Sequence, residues 1–332
     1  MKRALTRTAL AICMAPFASA SFAQQQGLTV GYFLEWPLPF EYGKVKGLYD
    51  EKLGVDVKWV AFDTGTAMSA AMASGDVQIA YSQGVPPFIA AASAGQELRI
   101  VGISSSYPEN ENCVVASKLE IDKESASELE GLSVALPVGS GAHYGFLQQM
   151  AYLDVDTTTM SIVDMAPAEA AAAFEQGSLD VVCGWGGALT RMKEHGNVLL
   201  TGAEKEEIGV LSSDLITSTA QFAWGQQALL TGFLEVTEEM NKMWNDGNHR
   251  DEMLEVIAAD AGMNLEDTAS VIDNFHFLTA EEQLSKTWLG GGLGAYLDGV
   301  ANLFHEIGSL QTVLPNYDPL IVTEPLKTVA AQ

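Results

Sequence analysis

A small anion can be held without lysine or arginine, by the free N–H groups and the dipole at the start of a helix. Three stretches of this chain have residue types suited to that chemistry: Thr64-Gly65-Thr66, Ser82-Gln83-Gly84 and Ser140-Gly141-Ala142-His143. Gly65 lets the backbone approach a ligand closely, Thr66 adds a hydroxyl, and Gln83 and His143 add side-chain donors. Taken singly, each of these residues is equally an ordinary helix cap or turn. Trp185, between Gly184 and Gly186, offers a π face to a cation or packs in a core. Trp36, with Pro37 and Pro39 beside it, closes one wall of a site or belongs to a plain surface loop. No other chemistry is signalled. His195, His276 and His305 lack metal-ligand spacing, and Met68, Met72 and Met150 suit helix packing. Gly290-Gly291-Gly292 lacks the strand and Lys/Ser context of a phosphate loop, so neither metal nor cofactor is expected.

The elements that position these residues come as a near-repeat. Thr64-Gly65-Thr66 leads through an Ala/Met-rich stretch to Ser74-Gly75-Asp76, then Val77 to Tyr81 and Ser82-Gln83-Gly84. Ala168 to Gln176 leads to Gly177, then Leu179 to Cys183 and Gly184-Trp185-Gly186-Gly187. Each reads as a helix capped by glycine, a buried strand, and a glycine-containing loop at the strand's carboxyl end. Open α/β sheets bind ligands at that end, so two such units imply two lobes offering loops to one ligand. Strands are expected over Leu28–Phe33, 55–62, 98–103, 113–116, 133–136, 161–163 and 198–200, with helices over 40–53, 87–94 and 142–152. Residues 104–112 read as the connection leaving the first lobe, and 214–218 as the return. From Trp224 to Gly308 the pattern is mostly helical, with a capping box at Thr279 and Glu282. The proline-bearing tail after Thr312 reads as loop and edge structure.

Composition narrows the class. The 332 residues carry 17 Lys+Arg against 43 Asp+Glu, a formal net charge of −26, which excludes nucleic acid and anionic membrane surfaces as partners. Lys2, Arg3 and Arg7, the apolar run Ala9–Phe17 and Ser21-Phe22-Ala23 read as a signal peptide over residues 1–23, cleaved before Gln24. Export places the protein in the periplasm, and no later stretch is apolar enough to cross a bilayer. Cleavage removes Cys13 and leaves Cys113 and Cys183, which in an oxidising compartment are either paired or buried as free thiols.

Asp63-Thr64-Gly65, Ala73-Ser74-Gly75-Asp76-Val77-Gln78-Ile79, His143-Tyr144 at a helix start, Gly184-Trp185 and Asp214 together resemble periplasmic taurine-binding proteins of ABC importers. These belong to the nitrate/sulfonate/taurine group of solute-binding proteins. The resemblance runs from the first strand to about residue 290 and includes Phe277-Leu278-Thr279. The chain departs from the enteric pattern at Trp36-Pro37 and at Cys183. The resemblance implies an α/β, type II periplasmic-binding-protein fold: two Rossmann-like lobes joined by a hinge, closing on a solute and docking on an inner-membrane ABC permease. Lobe 1 would span 24–107 plus 217–332, and lobe 2 108–216, in a monomer. It further implies taurine or a related small sulfonate as ligand, with Asp214 as the amine-binding carboxylate. Trp36, Gly65, Thr66, Gln83, Ser140, His143, Tyr144 and Trp185 complete the site, Tyr144 donating a hydroxyl or packing behind His143. Two rivals remain: a receptor for another sulfonate or a small amino acid, and an enzyme on the same scaffold. The enzyme would use Cys113 or Cys183 as nucleophile and His143 as base, which a disulfide between the two thiols would forbid.

Overall fold

The computed structural model describes residues 27–332, apart from 209, 211 and the side chain of residue 206; the expected leader lies outside the described residues. Ten strands form two five-stranded sheets. The first contains β1 (Leu28–Phe33), β2 (Val57–Phe62), β3 (Ile79–Gly84), β4 (Leu98–Ser106) and, from far along the chain, β10 (Ser213–Thr219). The second contains β5 (Glu111–Ala116), β6 (Ser133–Leu136), β7 (Ser161–Asp164), β8 (Val181–Trp185) and β9 (Gly196–Asn197). Their orders are β2-β1-β3-β10-β4 and β7-β6-β8-β5-β9. Each sheet is parallel at its start and turns antiparallel where β10 or β5 is inserted. The architecture is α/β in two lobes, as the near-repeat implies.

The second lobe shows why its strands read as unbroken apolar runs. Side chains alternate faces along a strand, and this sheet is covered on both. Cys113, Val115, Val134, Leu136, Val181 and Cys183 pack under the helix carrying Phe146 and Met150. Val114, Ala116, Ala135 and Val182 pack on the opposite side with Ala170, Phe174, Leu189 and Met192. The first lobe has one larger core, which reaches into the C-terminal helices through Phe233, Leu297 and Val300. Among the described residues no helix is long and apolar enough to cross a membrane, and no group of His, Cys, Asp or Glu is arranged to hold a metal.

Several boundaries differ from those expected, each for a local reason. The helix expected over 40–53 is broken in two at Gly47, whose φ of 71° lies in the left-handed region. β4 continues to Ser106 and β5 begins at Glu111, so the connection expected over 104–112 shrinks to four residues. β10 pairs with β3 and β4 from Ser213 onward, so the return between sheets comes before Ser213. Residues 198–200 are not a strand; the short edge pairing is at Gly196–Asn197. The tail ends in the helix Glu324–Ala330, where Pro325 occupies the first turn, the one position where a helix tolerates it. The Thr279/Glu282 capping box is present in full. Thr279→Ala should cost about 1 kcal/mol of stability in a urea melt.

Candidate ligand-binding site

Four helices begin at the carboxyl ends of strands and aim their first turns between the lobes: Gly65–Ser74 after β2, Val85–Ser93 after β3, Gly141–Tyr152 after β6 and Gly186–Lys193 after β8. Thr64 caps the first by accepting from Ala67 N–H, and Ser140 caps the third by accepting from His143 N–H. The second carries Pro86 and Pro87 in its first turn, which removes two of the N–H groups a ligand would use. Between these termini lies a narrow chamber. Gly65, Ser82, Gly84, Pro87, Phe33, Trp36 and Asp214 line it from the first lobe; Ser140, Gly141 and Trp185 line it from the second. Tyr107 and Glu111, at the outgoing connection, complete the wall.

The aromatic walls are fixed by packing. Trp36 is buried, donates its indole N–H to the Ser82 hydroxyl at 3.1 Å, and stands edge-on to Tyr107 and Phe275 with centroids 4.8 and 4.7 Å away. Ser82 holds a left-handed conformation, φ 67°, an unusual state for serine. Trp185 leans on Phe33 across the lobe boundary, centroids 6.0 Å apart. Asp214, 5% exposed, accepts a short hydrogen bond from the Tyr107 hydroxyl. Burial holds its carboxyl well above the usual range, the Tyr107 bond opposes this, and Glu111 adds to it. Among the described residues, none that lines the chamber is Lys, Arg or His.

Five of the nine residues singled out in the sequence thus line one chamber: Trp36, Gly65, Ser140, Trp185 and Asp214. Four do not. Gln83 is fully buried; its amide donates to Ser69 Oγ at 2.7 Å and its carbonyl accepts from Thr217 Oγ1 at 2.5 Å, tying a helix to two strands. His143 accepts the Gly139 N–H on Nδ1 at 3.1 Å, and burial lowers its pKa, so it is a neutral packing residue against Phe304. Tyr144 stacks on Phe304 and borders a second, narrow chamber shared with Tyr107 and Glu111. Thr66 is exposed at the mouth, bonded to Thr64, and faces Gly139 of the other lobe, whose Cβ would lie 3.8 Å from it. Sequence reasoning missed Glu111 and Tyr107, and named Ser82 only within the stretch Ser82-Gln83-Gly84. A signal existed for the first: Glu111 is an acidic residue at the head of the buried strand that runs into Cys113-Val114-Val115-Ala116.

The lobes touch beside the chamber. Glu35, at the end of β1, accepts the Gly187 N–H on its carbonyl at 2.9 Å and pairs its carboxylate with Arg191 at 2.8 Å. Gly186, φ 55°, passes so close that a Cβ would lie 2.2 Å from the Glu35 carbonyl. Gly186→Ala should hold the lobes apart and weaken ligand binding by about 10- to 100-fold, the equivalent of the roughly 1–3 kcal/mol that an overpacked contact costs. Small-angle scattering with ligand should then show a larger radius for the variant than for the parent. Cys113 and Cys183 are directly opposed on β5 and β8 and joined by a disulfide, on the side of the sheet turned to Phe146.

Two α/β lobes meeting over a largely apolar chamber that holds two carboxyls, with helix starts on its walls, define a two-lobed binding-protein architecture. The chain belongs to the NMT1/THI5-like family, whose model matches residues 38–246. It is 24% identical over 305 residues to the taurine-binding periplasmic protein of Escherichia coli K12, covering 91% of this chain and 93% of that one. A putative aliphatic sulfonates-binding protein of the same strain is 25% identical over 279 residues, covering 82% and 84%. The fold matches that of the alkanesulfonate-binding protein SsuA from Xanthomonas axonopodis pv. citri bound to MOPS, with a TM-score of 0.74 at 19% identity, over 90% of this chain and 98% of that one.

Proposed function

We propose that this protein is the periplasmic solute-binding component of an ABC importer, which captures taurine between its lobes and delivers it to an inner-membrane permease. The observation that carries this reading is the chamber's charge layout. A buried carboxylate, Asp214, faces a space that also receives the starts of several helices, with no lysine or arginine on its lining. A zwitterion with a sulfonate at one end and an ammonium at the other complements both features. Trp185 and Trp36 supply flat apolar walls for the two carbons between, and a π face for the cation. The lobes that close on it are residues 24–107 with 213–332 and residues 108–212, carried by an exported monomer after removal of residues 1–23.

The two relatives named above are binding proteins by name, which supports a receptor rather than an enzyme. The chemistry agrees. The disulfide occupies both thiols, and His143 spends Nδ1 on a main-chain N–H, so the nucleophile and base of the rival reading are both engaged elsewhere. The test is calorimetry on ligand-stripped mature protein with taurine, ethanesulfonate and β-alanine. Micromolar or tighter binding of taurine alone is the expected result; binding of ethanesulfonate with equal affinity would move the assignment to a general sulfonate receptor.

A further inference from the structure

Glu111 stands in the chamber without a part in the reading above. It opens β5, where pairing with Trp185 on β8 brings it to the chamber wall. Its carboxylate lies against the bare Cα of Gly141, where an added Cβ would come within 2.7 and 2.8 Å of the two oxygens. It is 8% exposed and borders both chambers. The charged and titratable groups around it come from every neighbouring element. Lys205 donates to the Glu111 main-chain carbonyl, Tyr107 and Tyr144 stand at the chamber walls, Tyr296 faces it from a C-terminal helix, and Asp214 faces it from β10.

We propose that Glu111 is a second ligand carboxylate, which grips a primary ammonium jointly with Asp214 and gives up its own proton to do so. This rests on the reading of the chamber as a site for a cation-bearing sulfonate. Two buried carboxyls in one water-poor chamber repel each other when both are ionised, so the empty site retains a proton. An arriving ammonium removes that repulsion: the Glu111 carboxylic acid ionises, its proton leaves to solvent, and the carboxylate receives an N–H of the ligand. Burial pushes the Glu111 carboxyl up to about 7, with Lys205 opposing, which puts the exchange in the neutral range. The sign follows. Below that pH, binding must displace a proton, so affinity climbs with pH by up to roughly tenfold per unit and levels off above it. A carboxylate beside Gly141 also crowds the start of the Gly141–Tyr152 helix, and the Gly186 and Gly187 N–H groups already serve the Asn110 and Glu35 carbonyls, which leaves the start at Gly65 for the sulfonate. A quaternary ammonium has no N–H for either carboxylate, so N,N,N-trimethyltaurine should bind far more weakly than taurine.

The deciding measurement is calorimetry with taurine between pH 5.5 and 8.5, each point in two buffers of different ionisation heat, so that protons released per ligand are counted. Wild-type protein should release a substantial fraction of a proton near pH 7 and tighten roughly tenfold per pH unit in the acid range. Glu111→Gln should lower the number of protons released and make the pH profile shallower, with Asp214 supplying what remains, and weaken binding at pH 8 by about 10-fold, the loss of one charge-assisted hydrogen bond. Glu111→Asp, which keeps the acid, should retain proton release even where affinity falls. Wild-type binding without proton release, or an unchanged profile in Glu111→Gln, overturns the role of Glu111 and leaves the receptor reading intact. If Glu111→Gln does not fold, the wild-type and Glu111→Asp proton counts decide. Absence of taurine binding by the wild type at every pH overturns the receptor reading and this inference together.

Discussion

Asp214→Ala should bind taurine about 100-fold more weakly than the parent protein, and should bind ethanesulfonate at least as well as the parent does. The first effect follows from removing a buried anion that meets a cation. Charge-assisted hydrogen bonds contribute about 1.5–3 kcal/mol each, and the upper part of that range is about two decades of affinity. Asp214 is nearly sealed from water, held by the Tyr107 and Ser82 hydroxyls, and its carboxyl faces the chamber. The second effect is the discriminating one. Ethanesulfonate brings no cation, so in the parent protein it must share the chamber with a carboxyl that burial already forces toward its neutral form. Removing that group relieves the conflict. Equal losses for the two ligands, measured by calorimetry, would mean that Asp214 supports the chamber wall and does not read the amine.

Cys113→Ala/Cys183→Ala, or treatment with a reductant, should lower the melting temperature by about 8–15 °C while leaving taurine affinity at 25 °C unchanged. The bridge joins residues 70 apart in sequence, and a loop of that size restricts the unfolded chain by about 4 kcal/mol. For a chain of this length each kcal/mol moves the midpoint by roughly 2–4 °C. Affinity is spared because neither cysteine lines the chamber; both face the Phe146 side of the second sheet. A melt that shifts by less than about 2 °C would show that the opposed strands hold register without the covalent link.

The near-repeat made the two lobes legible before any coordinates, because a glycine cap, a buried strand and a strand-end loop are local signals. The same holds for Leu28–Phe33 and the Thr279 capping box, which match residue for residue. What could not be read locally is the direction of a side chain at a strand end. Ser82 and Gln83 are neighbours, equally polar and equally buried, yet one meets Trp36 at the chamber and the other is sealed against Ser69 and Thr217. A period-2 element puts adjacent residues on opposite faces, and only the packed sheet says which face is the site. Glu111 escaped for a related reason. Its strand starts inside a polar stretch that reads as a linker, and its neighbour in the site, Gly141, is thirty residues away in a different element.

The outgoing and return segments between the sheets lie side by side, joined by the Tyr107 N–H on the Ser212 carbonyl. Tyr107 and Glu111 lie beside one and Asp214 beside the other, so on the proposed function the ligand's cationic end would be held at the axle, while Thr66 and Gly139 face each other at the rim. A rotation that shifts the axle by little sweeps the rim widely. On that proposal the molecule is geared: losing one small zwitterion at the pivot would free a large movement at the mouth, and a permease pressing on the rim would work with a long lever arm against the solute.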